Sequence, residues 1–262
     1  MMLDGSSFDD LSGWTIAVLA FIYFMAFFIR GMIGFGSGMP AVLGSAWILP
    51  PHDAVMIALL AGVFSQIQLL PQGFRDTNWK VTWPLIAGML LSVVIGIGIF
   101  ASLRAEWLTV VMGGCLSLAV LADMARLAER AAPHLRLDRF SVAFSLAALA
   151  GLMAGVAGAG ANYFLSFYIR FVAPTPAAFR ATNIVVSGAM SLWRAIATAF
   201  AGLFTIKLFV AAVLVLPAVY AGGWGGRRLA GRLSAQRYFR LFQMLLLLAA
   251  AGLIAKGVIA LY

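Results

Sequence analysis

Residues 31 to 40 read GMIGFGSGMP, four glycines and a proline closing a hydrophobic run that begins at Trp14. In water the stretch would pass for a turn. The composition points to another solvent: 63% of the residues are hydrophobic, 10% are charged and the mean hydropathy is +1.01. In a bilayer each backbone N–H and C=O needs a partner, so a broken helix survives only where protein surrounds it or a polar cavity receives it. The decapeptide therefore marks both a fold class and a candidate site.

Working outward, apolar segments occupy 14–30, 52–72, 82–103, 106–124, 140–157, 176–200, 206–226 and 239–260. Two shorter stretches, 34–49 and 159–173, open with glycines (GFGSG, GAGAN) and close near prolines (LPPHDA, APTPAA). The reading is an all-α polytopic membrane protein, about eight long transmembrane helices plus two short Gly-started helical segments, broken or re-entrant. No soluble domain has room beside them. The acidic N-terminus MMLDGSSFDD lacks the basic region of a signal peptide, so a retained first span is expected.

The net charge of +9 lies mostly in short connections between apolar runs, the mark of cytoplasmic loops rather than of nucleic-acid binding. If only the eight long runs cross, Lys and Arg divide almost evenly between the two sides. If the short stretches also carry the chain across, Arg30, Arg75, Lys80, Arg126, Arg130, Arg136, Arg139, Arg170, Arg180, Arg227, Arg228, Arg232, Arg237 and Arg240 share one side. Arg104, Lys207 and Lys256 then fall opposite, with the acidic N-terminus. This places the N-terminus outside and the loops MARLAERAAPHLRLDRF and RRLAGRLSAQRYFR inside, in a multi-pass protein of the bacterial inner (plasma) membrane.

The ten-segment arrangement makes the halves alike. GFGSGMPAVLGSAWILPPHDA and GAGANYFLSFYIRFVAPTPAA are each followed by a long helix and a Gly-bearing helix. Residues 1–125 form one repeat, 126–139 a basic cytoplasmic loop and 140–262 the second repeat, all in one membrane domain. Five crossings per half is an odd number, so the repeats are inverted. Short glycine-interrupted segments at matching positions of such repeats point to a binding site near the midplane.

The run after PTPAAFR carries a polar face. Asn183, Ser187, Ser191, Arg194 and Thr198 fall within an arc of about 80° at 100° per residue. Arg194 sits midway between Arg180 and Lys207, too deep to reach a surface, and there it requires a partner or a watery cavity. No carboxylate is an obvious mate, which leaves an anionic guest as the counter-charge. The matching first-half helix offers Ser65, Gln68 and Gln72. The breaks at Gly36, Ser37 and Gly38, and at Gly158, Gly160 and Asn162, start short helices whose first N–H groups lack intrahelical acceptors and attract anions.

Each feature has a structural alternative. Glycines in membrane helices also serve as packing surfaces, and a polar stripe also serves interhelical hydrogen bonding. Arg30 and Arg170 read as markers of cytoplasmic ends, with guarding an anion entrance as the other role. His52 beside Asp53 reads as a helix-start feature, and Cys115 as a small buried hydrophobe. No cofactor is expected: no strand or ribose-binding acid accompanies the glycines, and His52 and His134 are too far apart in sequence for a metal motif. The partners expected are a small anionic substrate and membrane lipids, not nucleic acid, and a homodimer is compatible with the reading.

These motifs resemble the sulfite exporter family TauE/SafE. The resemblance covers nearly the whole chain and rests on GFGSGMP, the helix opening PPHDAV, and the second copy GLMAGVAGAGAN followed by PTPAAFRATN. It implies a permease, not an enzyme, for small sulfur-containing anions such as sulfite, sulfoacetate, thiosulfate or organosulfonates; with two inverted repeats, the expected mode is alternating access. The rivals are a passive anion channel and a polytopic enzyme acting on lipid phosphates. The latter would need carboxylates or a histidine beside Arg194 for acid and base steps.

Overall fold

The computed structural model describes residues 13–33, 36–67, 69–134, 136–137, 139–229 and 235–261. These residues are mostly helical, with no strand among them. The elements are α1 (Gly13–Ile33), α2 (Gly38–Ala46), α3 (Pro51–Ile67), α4 (Leu70–Phe74), α5 (Trp79–Ser102), α6 (Ala105–Met124) and α7 (Leu127–Ala131). They continue with α8 (Phe140–Ala157), α9 (Ala161–Val172), α10 (Pro176–Phe200), α11 (Ile206–Leu229) and α12 (Ala235–Ile259).

Five of them, α1, α5, α6, α8 and α11, are long and apolar enough to cross a bilayer. The protein is therefore a multi-pass membrane protein. Helix α3 and the Gln243–Ile259 part of α12 are shorter apolar helices. Helix α10 has 25 residues, about 37 Å at 1.5 Å per residue, yet its polar face keeps it out of the apolar class. Helix α2 has 9 residues and α9 has 12, about 13 and 18 Å, so neither spans the ~30 Å hydrocarbon layer by itself. The 52–72 run is interrupted: α3 stops at Ile67, and α4, with Pro71 in its first turn, starts a new direction.

Helix ends follow local chemistry. Pro176 occupies the first turn of α10, where its missing N–H costs nothing, and the Thr175 hydroxyl accepts from the Ala178 N–H at 3.1 Å. Helix α8 ends on Gly158 at φ +77°, a left-handed conformation that glycine reaches without a Cβ penalty, and the Gly158 N–H returns to Ala154 O. His52 Nε2 lies 3.2 Å from the Phe100 carbonyl, tying the start of α3 to the last turns of α5. The helix-start reading of His52 fits that contact. Cys115 packs, partly buried, against the core.

Lipid tails are as apolar as leucine, so helices associate here through close van der Waals packing. Glycine makes the approach close. Gly88 lies against Phe144 and Ala147, and Gly96 against Leu152 and Gly155, so α5 and α8 run parallel. Gly222 lies against Phe24 and Phe28, and Gly31 against Gly223 and Gly226, so α1 and α11 also run parallel. Gly113 faces Ala250 and Ile254 while Gly257 faces Glu106 and Val110, which makes α6 and α12 antiparallel.

Two apolar clusters result. One joins α1, α2, α3, α6, α11 and α12 around Tyr23, Leu43, Ile57 and Leu116; the other joins α5, α8, α9 and α10 around Leu85, Met89, Leu165 and Val186. The surface between them is where polar side chains collect.

Candidate functional site: a polar cavity between two clusters

A cavity of about 90 Å³ lies where the two clusters meet. From the first cluster it is lined by Arg30 of α1, by residues 36–39 and Ala41 at the start of α2, and by Gly62 and Gln66 of α3. From the second it is lined by the turn Gly158–Asn162 and by Asn183, Ser187, Ser191 and Arg194 of α10. The volume exceeds the ~10–15 Å³ that one water needs and is far below the ~300–1,000 Å³ of pockets for drug-sized ligands. The space suits a small solute.

Helix α10 supplies the charge. Arg194 is 5% exposed, and its Nη1 donates to the Gly158 carbonyl at 2.8 Å while its buried Nε has no partner. The acceptor is the terminal carbonyl of α8, where the helix dipole is negative, so it anchors the guanidinium without cancelling its charge. No ion pair to Arg194 occurs among the described residues, where the salt bridges are Arg104–Glu106 and Arg126–Glu129.

The second cation is Arg30. Its Nη1 donates to the Ser65 hydroxyl at 3.1 Å, and its guanidinium carbon stands 5.6 Å from the centre of the Phe27 ring. Two guanidinium groups thus reach the wall, and no carboxylate or imidazole is among its described residues.

The neutral donors are oriented by one another. Ser166 Oγ donates to Asn183 Oδ1 at 2.9 Å, and Ser187 Oγ donates to Asn162 Oδ1 at 3.3 Å. With these carbonyl oxygens occupied by hydroxyl protons, each asparagine has its NH2 group left to give. Both short helices begin at the same place. Gly38 is the first residue of α2 and Gly160 the N-cap of α9, and neither helix start receives a side-chain cap. Gly36 at φ +92° and Gly160 at φ +96° make the turns that aim those starts inward.

The cavity therefore brings together Arg194, Asn183, Ser187, Ser191, Gly36, Ser37, Gly38, Gly158, Gly160 and Asn162, all expected from sequence. Ser65 is placed differently: it does not line the cavity but holds Arg30, which does. Gln68 lies outside the described residues. Two further polar residues, Arg30 and Gln66, line the cavity beyond the expected set. Sequence gives Arg30 as a cytoplasmic-end marker or a guard of an anion entrance, and the structure sets it in the cavity wall. Gln66, 6% exposed with an unpartnered Oε1, stands one residue beyond Ser65 and so off the stripe that Ser65 and Gln68 define.

The family model described as Sulfite exporter TauE/SafE matches residues 19–253. The chain belongs to the TauE/SafE family. It is thereby placed in a family of membrane transporters for sulfur-containing anions, not of enzymes. No curated protein and no solved structure matches it. For a TauE/SafE member, a small cavity rich in hydrogen-bond donors and with no acid among its described lining residues suits an oxyanion, whose oxygens accept and whose charge offsets buried cations.

Proposed function

We propose that this TauE/SafE protein carries a small sulfur oxyanion, sulfite or a small sulfonate, across the bacterial inner membrane by alternating access, and that the cavity around Arg194 is its binding site. The observation that carries the reading is the pairing of two guanidinium groups with two uncapped helix starts around one small buried space. A sulfonate or sulfite oxygen accepts from each of these donors. The cavity is too small for a lipid headgroup and lacks an acid or imidazole in its described wall, which disfavours lipid-phosphate chemistry.

The proposed architecture is two inverted repeats, 1–125 and 140–262, joined by the basic loop 126–139, with the N-terminus outside. Helix pairing supports it. The first helix of each half packs against the fourth major helix of the other, α1 on α11 and α8 on α5, while the last helices, α6 and α12, pack together. The antiparallel contact of α6 and α12 fits ten segments, five per half, with α2 and α9 carrying the chain through together with their flanking turns. Eight crossings would leave α6 and α12 parallel. A site bounded by both clusters can open to either side as one shifts against the other.

The test is sulfite flux into proteoliposomes holding the purified protein. Saturation with counterflow is expected, and Arg194→Ala is expected to abolish flux while the protein still inserts. Wild-type flux in Arg194→Ala would reject the site, and flux that never saturates would reject a carrier in favour of a channel.

A further inference from the structure

A second basic cavity, of about 630 Å³, lies at the starts of α5 and α8 and has no part in the anion site. Lys80, the second residue of α5, Arg139, the N-cap of α8, and Arg136 line it. No acidic residue is among its described lining; Asp138 lies outside the described residues. Helices α5 and α8 are parallel, so both N-termini open into this end, and neither Asn78 nor Arg139 caps its helix with a side chain. The uncapped N–H groups and the positive dipole ends add to the three cations.

The depth is also defined. Helices α5 and α8 are both of span length, and the pocket sits at their first turns, where they leave the apolar layer. Trp79 and Trp83 of α5 are exposed at that level, as aromatic side chains are at a membrane interface. Apart from Asn78 and Tyr168, the rest of the wall is apolar, with Val81, Pro84, Phe140 and Phe171. A neighbouring cavity of about 260 Å³ shares Leu137, Tyr168 and Phe171 with it and continues between α6 and α9 along Ala122, Leu149 and Phe164, mostly apolar but with Asp123 and Arg126 also in its wall.

We propose that these two cavities together seat one anionic glycerophospholipid, its phosphodiester between Lys80, Arg136 and Arg139 and an acyl chain in the groove past Phe171. Charge complementarity selects an anion, and the adjoining apolar groove selects an amphiphile over a soluble one. Basic pockets at helix ends are a recurrent way of holding such headgroups. The bound lipid would brace α9 and the pair α5 and α8, whose glycine seam positions the helix that ends on Gly158.

The experiment is native mass spectrometry and thermal unfolding of the full chain in detergent, titrated with dioleoyl phosphatidylglycerol, dioleoyl phosphatidylcholine or glycerol 3-phosphate. Phosphatidylglycerol is expected to bind with one preferred stoichiometric site and raise the unfolding midpoint, and the other two are not. The triple variant Lys80→Gln, Arg136→Gln, Arg139→Gln is expected to weaken that binding roughly a hundredfold. If the triple variant does not fold, Arg136→Gln alone, on an exposed loop, is expected to weaken it by about fivefold. Equal binding of phosphatidylcholine, an equal shift with glycerol 3-phosphate, or unchanged binding in the variants would each overturn the proposal. Sulfite flux is a separate readout, so failure here leaves the anion site standing.

Discussion

Arg194 Nη1 reaches back across the cavity wall to the carbonyl of Gly158 at 2.8 Å, so the deepest cation of α10 is held by the residue that ends α8. That bond uses one edge of the guanidinium. The buried Nε remains without a partner in the protein.

Because a guanidinium can serve Gly158 and a guest at once through its planar fork, a lysine is a poor substitute. Arg194→Lys is expected to keep the protein inserted and to lower sulfite flux by about tenfold or more, as loss of a charge-assisted hydrogen bond does. Flux assays in proteoliposomes at matched protein density check this. Full activity in Arg194→Lys would show that point charge alone suffices.

Gly158 stands at φ +77°, and a Cβ there would fall 2.7 Å from Val55 Cγ1 and 3.3 Å from the Arg194 Nη2. Gly158→Ala is therefore expected to destabilise by roughly 1–3 kcal/mol and to displace the guanidinium. Adding Val55→Ala removes the steric part and leaves the backbone strain, so the unfolding midpoint recovers in part. A midpoint unchanged in Gly158→Ala would contradict the geometry.

Ser65 acts through Arg30. Ser65→Ala removes the acceptor of the 3.1 Å bond and is expected to raise half-saturation for sulfite by up to roughly tenfold with little change in maximal rate. Arg30→Gln is expected to have the larger effect. Concentration-dependent uptake separates the two parameters; if neither variant moves half-saturation, Arg30 takes no part in binding.

The glycine seam of α5 and α8 gives a stability prediction. A Cβ on Gly155 would lie 2.7 Å from Gly96 Cα and from the Val93 carbonyl, whereas one on Gly98 meets nothing within 4 Å. Gly155→Val is expected to lose about 1–3 kcal/mol or to misassemble, and Gly98→Ala to be neutral or slightly stabilising. Thermal unfolding in detergent distinguishes them, and equal midpoints would mean that the seam does not set the packing.

Much of this was visible in the residues themselves. The apolar runs at 14–30, 106–124 and 140–157 mark α1, α6 and α8 to within a few residues, since a hydrocarbon solvent allows few other ways to satisfy a backbone. The polar face of α10 was equally plain, because Asn183, Ser187, Ser191 and Arg194 keep helical spacing among apolar neighbours. The glycine breaks stood out for the same reason: flexible turns are rare in such company.

The first-half ligands were less visible. Periodicity predicts a polar side of α3 at Ser65 and Gln68; Gln68 lies outside the described residues, Ser65 holds Arg30, and Gln66, off that stripe, lines the cavity. Successive residues on a helix are turned by about 100°, so which of them meets the site depends on how α3 rolls against α2 and α11. Arg30 poses the same difficulty.

Local sequence dictates where the chain is helical, where it must break and which faces are polar, because each depends on the solvent and on a few neighbouring side chains. Assembly decides which polar faces meet. Only the packing of α3 against α10, with Arg30 of α1 bonded to Ser65 of α3, brings Arg30 and Arg194, far apart along the chain, to one small space with two helix starts, and contacts between distant segments leave no period in the sequence.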